Sequence, residues 1–223
     1  MKRQTRSQSA VLDLRCYFVT GTNMTPEIAA AAVRGGAGVV QVRSKPISAR
    51  ALYDLGARVA ETVHEVNPRA HVLIDDRVDV ALALRCAGAP VHGVHIGQDD
   101  LCPRAARELL GPDAIIGLTT GTLELIRDAN QYADVLDYVG CGPFRATPTK
   151  DSGRTPLGLQ GYPEIVAASQ LPVVAIGDVT ADDAAELAAT GVDGLAVVRG
   201  IMNAPDPAAY CERLLSEFEK GRA

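Results

Sequence analysis

The sequence predicts an α/β protein, a single (β/α)8 TIM barrel with its active site at the C-terminal rim of the strands. Eight short, β-branched apolar runs alternate with eight longer stretches of helical period along the 223 residues. The strand runs stay apolar instead of alternating, the pattern of parallel strands buried on both faces. The length falls at the small end of the roughly 200–400 residues usual for such barrels. An open doubly wound sheet would use five or six strands and a G-x-G-x-x-G turn after the first. Here the first run is followed by Thr20-Gly21-Thr22-Asn23, which does not match.

The elements follow in order. A strand at 16–20 leads through Thr25-Pro26-Glu27, an N-cap signal, to a helix at 26–35 that Gly35-Gly36 ends. A strand at 38–43 is followed by Ser48 and a helix over 48–66. A strand at 71–75 precedes a helix at 77–87, with Gly88 as its stop. A strand at 93–97 precedes a helix at 103–110, stopped by Gly111. The strand at 114–118 leads to Thr122-Leu123-Glu124 and a helix at 122–131. The strand at 137–141 opens a loop over 142–157 with no period of its own, followed by a helix at 160–169. The strand at 172–176 leads to Thr180-Ala181-Asp182-Asp183 and a helix at 180–190, before Gly191. The last strand, 194–199, precedes a helix at 206–219. Residues 1–10 read as a flexible tail and 11–220 as one barrel domain.

The composition is that of an ordinary globular chain, 47% hydrophobic and 22% charged with a net charge of −5. No run reaches the ~18 uninterrupted apolar residues a membrane helix needs. The basic stretch Met1–Ser9 is not followed by an apolar segment, so no secretory signal is expected. Five cysteines, Cys16, Cys86, Cys102, Cys141 and Cys211, are scattered without a C-x-x-C pair. That spacing fits a reduced, cytoplasmic chain better than a disulfide framework or zinc site. The absence of Trp, the scarcity of Phe and the acidic balance argue against a nucleic-acid stacking surface.

In a barrel of this kind the chemistry sits where strands end. Those ends carry Gln41-Val42-Arg43-Ser44-Lys45, Asp75-Asp76-Arg77, Gly97-Gln98-Asp99-Asp100, Thr119-Thr120, the 142–157 loop, Gly177-Asp178 and Val198-Arg199-Gly200. Arg43, Lys45 and Lys150 supply cations for phosphate oxygens. Asp76 and Asp100 supply hard oxygen donors, and two carboxylates plus ligand phosphates is a usual way to hold Mg²⁺. Asp76 alone also reads as a helix N-cap, and Asp99-Asp100 as a solvated turn. The ends of strands seven and eight form the usual barrel phosphate site, where Gly177 and Gly200 let backbone approach an anion. His92 and His95 fall on opposite faces of a strand and read as packed or exposed side chains, not metal ligands. Arg145 and Arg154 are expected at the loop tip or in solvent.

These segments, together with Thr147-Pro148-Thr149-Lys150 and Val173-Val174-Ala175-Ile176-Gly177, resemble the thiamine phosphate synthase (thiamine-phosphate pyrophosphorylase) family. The match runs from about residue 15 to 215, with five motifs in order at strand ends. The resemblance implies a transferase of thiamine biosynthesis. It would join hydroxymethylpyrimidine diphosphate to thiazole phosphate, releasing pyrophosphate, with Mg²⁺ as cofactor. It implies that Gln41, Val42, Arg43, Ser44, Lys45, Asp75, Thr119 and Lys150 meet the pyrimidine diphosphate, with Arg43, Lys45 and Lys150 catalytic. Thr147, Pro148, Thr149, Gly177, Val198 and Arg199 would meet the thiazole phosphate, and Asp76 and Asp100 the metal. The expected partners are small phosphorylated molecules, not nucleic acid or membrane, and the sequence is compatible with a homo-oligomer.

The chain departs from the family pattern in places. Asp75 stands for a usual Asn, Thr119 for Ser, Asp178 for a second Gly and Arg199 for Ser, and about five extra residues lie within 85–92. Asp178 is expected either to point outward or to pair with Arg199. Two rival readings use the same rim. A thiazole tautomerase would want a His just after strand five, where Thr119-Thr120-Gly121 stands instead. A barrel that binds a phosphorylated ligand without turnover is the other.

Overall fold

The computed structural model describes residues 12–146 and 153–223. Eight parallel strands close into a barrel in sequential order, each strand hydrogen-bonded to the next and β8 to β1. They are β1 (Cys16–Val19), β2 (Val39–Val42), β3 (His71–Asp75), β4 (Gly93–Ile96), β5 (Ile115–Thr120), β6 (Tyr138–Cys141), β7 (Val173–Ile176) and β8 (Gly194–Val197). The helices are α1 (Pro26–Arg34), α2 (Ala49–Val66), α3 (Val78–Cys86), α4 (Pro103–Leu110), α5 (Leu123–Asn130), α6 (Gly158–Ala168), α7 (Ala184–Ala189), α8 (Arg199–Met202) and α9 (Pro207–Arg222). A 3-10 turn, Ala181–Asp183, precedes α7.

The punctuation expected from the sequence operates locally. Ser48 and Thr122 accept hydrogen bonds from the amides of Ala51 and Leu125. Thr180 and Asp183 form a reciprocal capping box. Thr25 makes no side-chain cap bond. Gly36, Gly88, Gly111 and Gly191 all lie at positive φ just past helix ends.

The period of two along each strand divides the core into two layers. Phe18, Val40, Val42, Ile74, Val94, Ile116, Val139 and Ala175 point outward and pack under the helices. Tyr17, Val19, Val39, Leu73, Tyr138, Val174 and Ala196 fill the barrel interior. Because the register places Asp75 beside His95, His95 beside Gly117, and Gly117 beside Tyr138, these four share one interior level. Polar residues therefore begin below the rim.

One boundary differs from expectation. The final strand stops at Val197, and Arg199 is the first residue of the short helix α8 rather than part of the strand. Val198 leaves strand geometry at φ −107 and ψ −80, which turns the chain over the barrel mouth.

Candidate active site

A cavity of about 370 Å³ opens at the carboxyl ends of the strands. Of the residues expected to bind ligand, it is lined by Gln41, Arg43, Asp75, Thr119, Gly177, Val198 and Arg199. They divide between the side formed by β2, β3 and β5 and the side formed by the ends of β7 and β8. Val42 is different. Its side chain is fully buried beneath the helices, because it has the opposite parity to Gln41 on β2. Ser44 is half-buried just beyond the strand. Thr147, Pro148, Thr149 and Lys150, like the tail at residues 1–10, lie outside the described residues.

The cations of the first side, Arg43 and Lys45, are held by carboxylates. The Thr20 hydroxyl pins the Arg43 backbone, donating to its carbonyl at 2.7 Å and accepting from its amide at 2.8 Å. Arg43 Nε and Lys45 Nζ each lie 3.5 Å from Asp75 Oδ2. That oxygen is buried and accepts no hydrogen bond from the described residues, while Asp75 Oδ1 accepts from Gln41 Nε2. Burial, reinforced by the neighbouring Asp76 carboxylate, pushes the Asp75 carboxyl up to about 6.

Asp76 is not a helix cap. Arg77 occupies that position, and Asp76 sits at φ +58 with its carboxylate paired to Lys45. Burial works against the Lys45 charge, but Asp76 and Asp75 outweigh it and hold the ammonium above its usual range. Asp100 closes a turn by accepting from the Gly97 amide at 2.6 Å, with the Asp76 carboxylate as a neighbour. Burial and the Asp76 carboxylate push its carboxyl upward, against the pull of the Gly97 amide. Carboxylates from the ends of β3 and β4 thus meet at one point.

On the second side, Gly177 has φ +107 and lies against the β6 loop. A Cβ there would come within 2.5 Å of Pro143 Cα. The loop base is bound to β7 by Phe144 N–H to Ile176 C=O at 2.8 Å and Arg145 N–H to Gly177 C=O at 2.9 Å. Arg145 is not a solvent-facing loop tip. Its guanidinium lies over the Phe144 ring, pairs with the Asp183 carboxylate and donates to the Asp178 carbonyl. Arg154 also departs from expectation. It lines the cavity and donates to the Thr120 carbonyl at 3.1 Å. Asp178 pairs with Arg199. Gly200 makes room for the Tyr210 ring, whose hydroxyl accepts from the Ala181 amide.

Three interior residues were not expected in the site, although His95 was expected to be packed or exposed and is buried. Tyr17, His95 and Tyr138 line the cavity floor and are hydrogen-bonded to one another and to Gln41 and Thr119. His92, by contrast, packs edge-on against His71 at 4.8 Å. The signal for the floor was Gly117, where a Cβ would run into the Tyr138 ring. A glycine in the body of a central strand marks a close approach.

Fold and site together define a class: a (β/α)8-barrel enzyme with its chemistry at the carboxyl ends of the strands. The model of the TMP-TENI, or thiamine monophosphate synthase, family matches residues 16–201, and the chain belongs to that family. A thiamine-phosphate synthase of Corynebacterium jeikeium (strain K411) is 66% identical over 214 residues, covering 95% of this chain and 98% of that one. One from Corynebacterium efficiens is 64% identical over 213 residues, covering 94% and 97%. The solved thiamine phosphate pyrophosphorylase from Pyrococcus furiosus superposes with a TM-score of 0.81 at 33% identity, covering 95% and 98%. Orotidine 5'-phosphate decarboxylase from Pyrococcus horikoshii, at 15% identity and TM-score 0.64, shares the fold alone.

Proposed function

We propose that this chain is a Mg²⁺-dependent transferase that joins hydroxymethylpyrimidine diphosphate to thiazole phosphate, giving thiamine phosphate and pyrophosphate. Supporting this reading is one cavity flanked by the Arg43, Lys45 and Asp76 cluster on one side and by Gly177, Val198 and Arg199 on the other. Two phosphorylated substrates can enter it from opposite sides.

The donor set fits the cation. The Asp76 and Asp100 carboxyl groups lie close enough that burial and then Asp76 raise the pKa of Asp100, and a buried Asp75 oxygen accepts no hydrogen bond from the described residues. Lys45 pairs with Asp76. Two neighbouring carboxylates, Asp76 and Asp100, with substrate phosphates suit Mg²⁺. Bound by Asp76 and Asp100, it would supply Lewis-acid stabilisation of the leaving pyrophosphate.

The protein's own groups do the rest. Arg43, Lys45 and Lys150 hold the diphosphate and neutralise the charge that grows as the C–O bond breaks. The electron pair of that bond leaves with pyrophosphate. The thiazole nitrogen donates its lone pair to the methylene carbon, so neither a general base nor a covalent nucleophile is needed. Gln41, Ser44, Thr119 and the Val42 backbone border the pyrimidine. Thr147, Pro148, Thr149, Gly177, Val198 and Arg199 hold the thiazole phosphate. Residues 11–220 act as one barrel domain, in the cytoplasm, with small molecules as partners.

A thiazole tautomerase would need a free imidazole for proton transfer. Both nitrogens of His95 are engaged, by Tyr138 and Thr119. The test is incubation with both substrates and Mg²⁺, following both products. Equal formation of pyrophosphate and thiamine phosphate is expected. No product above background with either substrate well above a typical KM rejects the reading.

A further inference from the structure

We infer that six side chains on the cavity floor form a one-directional hydrogen-bond relay from Thr119 through His95, Tyr138, Tyr17 and Gln41 to Asp75. Its effect is to fix the Thr119 hydroxyl as an acceptor toward the cavity. The site then selects a substrate that presents an N–H at that point. Under the synthase reading, on which this inference rests, that group is the exocyclic amino group of the pyrimidine.

The direction follows from counting protons. Asp75 Oδ1 accepts from Gln41 Nε2, which leaves Gln41 Oε1 facing Tyr17 as an acceptor. The Tyr17 hydroxyl donates to it at 2.8 Å. A phenol has one proton, so in the 2.7 Å contact between the two tyrosines Tyr138 is the donor. With that proton engaged, the Tyr138 oxygen accepts from His95 Nδ1 at 2.8 Å. Nδ1 carries that proton, and with the imidazole neutral, as the relay requires, Nε2 is an acceptor. The Thr119 hydroxyl therefore donates to His95 Nε2 at 2.9 Å and turns its remaining lone pairs to the cavity. Burial holds both phenols far above their usual range, so they keep their protons.

The relay is built across the barrel, since its six members come from six different strands. The bare position Gly117 between His95 and Tyr138 lets the Tyr138 ring lean across to the imidazole. All five bonds point the same way, and aligned bonds polarise one another. As the C–O bond to the diphosphate breaks, positive charge spreads into the pyrimidine ring and its amino group. The amino N–H becomes a stronger donor, and its bond to Thr119 strengthens in the transition state. Such a contact raises kcat more than it tightens substrate binding. Tyr17, Tyr138 and His95 are thus positioning residues that act through Thr119.

The test combines side-chain ¹⁵N NMR of His95 in the full-length protein with steady-state kinetics of Tyr138→Phe. The unmodified protein should carry the His95 proton on Nδ1. Tyr138→Phe should shift it toward Nε2 and lower kcat about tenfold, the worth of one hydrogen bond. KM for both substrates should stay within about twofold of the unmodified value. Tyr17→Phe, which breaks the relay one link further on, should lower kcat in the same direction. A His95 proton found on Nε2 in the unmodified protein, alone or together with one on Nδ1, makes Thr119 the acceptor of that bond and overturns the inference. Unchanged kcat in both phenylalanine variants overturns the role assigned to the relay. If the unmodified protein makes no thiamine phosphate, the functional reading fails by itself, and the NMR result still decides the relay's direction.

Discussion

The carboxylate of Asp178 pairs with the guanidinium of Arg199, joining the turn after β7 to the first residue of α8. Both side chains are partly exposed, so the pair adds little to stability. Its consequence is local: a carboxylate stands beside the proposed phosphate site and occupies the cation there. Asp178 also sits at φ +58, a conformation glycine adopts freely. Asp178→Gly is expected to release Arg199, lower KM for thiazole phosphate severalfold and leave Tm unchanged or slightly raised. Arg199→Ala should raise that KM about tenfold, near the loss of one charge-assisted hydrogen bond. Initial rates at saturating pyrimidine diphosphate measure both. A higher KM in Asp178→Gly contradicts the assignment.

Asp76 is also at positive φ, at +58, which Asn tolerates better than Ala. Asp76→Asn therefore isolates charge from backbone strain. The rate should fall on the order of a hundredfold or more, with Tm within a few degrees of the parent, and higher Mg²⁺ should recover part of the loss. Lys150→Ala should lose most activity without any such recovery. A Mg²⁺ titration of each variant distinguishes them.

Asp75→Asn should behave oppositely. An Asn can still accept from Gln41 through Oδ1, and the substitution removes a carboxylate that burial makes costly to ionise. Turnover is expected to be kept or raised, with a higher Tm at neutral pH. A collapse of activity in a folded variant makes Asp75 a working ligand of the metal or diphosphate.

His92 gives a prediction remote from the site. Its Nδ1 accepts from the Val72 amide at 3.0 Å. Burial first, then the charges of His71, Arg85 and His64, bring it down to about 4 from the usual 6.5. The unfolded chain therefore binds this proton before the folded one does. Stability is full above about pH 6.5, falls as pH drops toward 4, and levels off below, for a loss on the order of 2–3 kcal/mol. Thermal unfolding of His92→Asn, whose amide oxygen can replace Nδ1, should show a flatter profile between those limits. An unchanged profile places the acid sensitivity elsewhere.

The parts of this protein legible in its sequence are those written locally. Apolar runs marked the strands, Ser48, Thr122 and Thr180 marked helix starts, and glycines such as Gly111 marked helix ends. Gln41, Arg43, Asp75 and Thr119 were accessible because they stand where apolar strand bodies give out. The cavity floor was not. Tyr17, His95 and Tyr138 lie in or beside apolar runs, and only barrel closure and register bring them together. Arg145 and Arg154 show the same limit. Their partners Asp183 and Thr120 are 38 and 34 residues away along the chain. Val42 failed for a simpler reason, the alternation that turns it away from Gln41. The end of β8 was misjudged because Val198 is apolar and β-branched yet forms the turn into α8.

The central claim is that two phosphorylated substrates meet in the cavity between the Arg43 side and the Arg199 side. The most direct measurement is a crystal structure with Mg²⁺, pyrophosphate and thiamine phosphate bound. Pyrophosphate and the metal are expected against Arg43, Lys45, Asp76 and Asp100. The pyrimidine ring is expected over Thr119 and the thiamine phosphate group against Gly177, Val198 and Arg199. Density for either phosphate outside this cavity, or a metal held without Asp76 and Asp100, contradicts the claim.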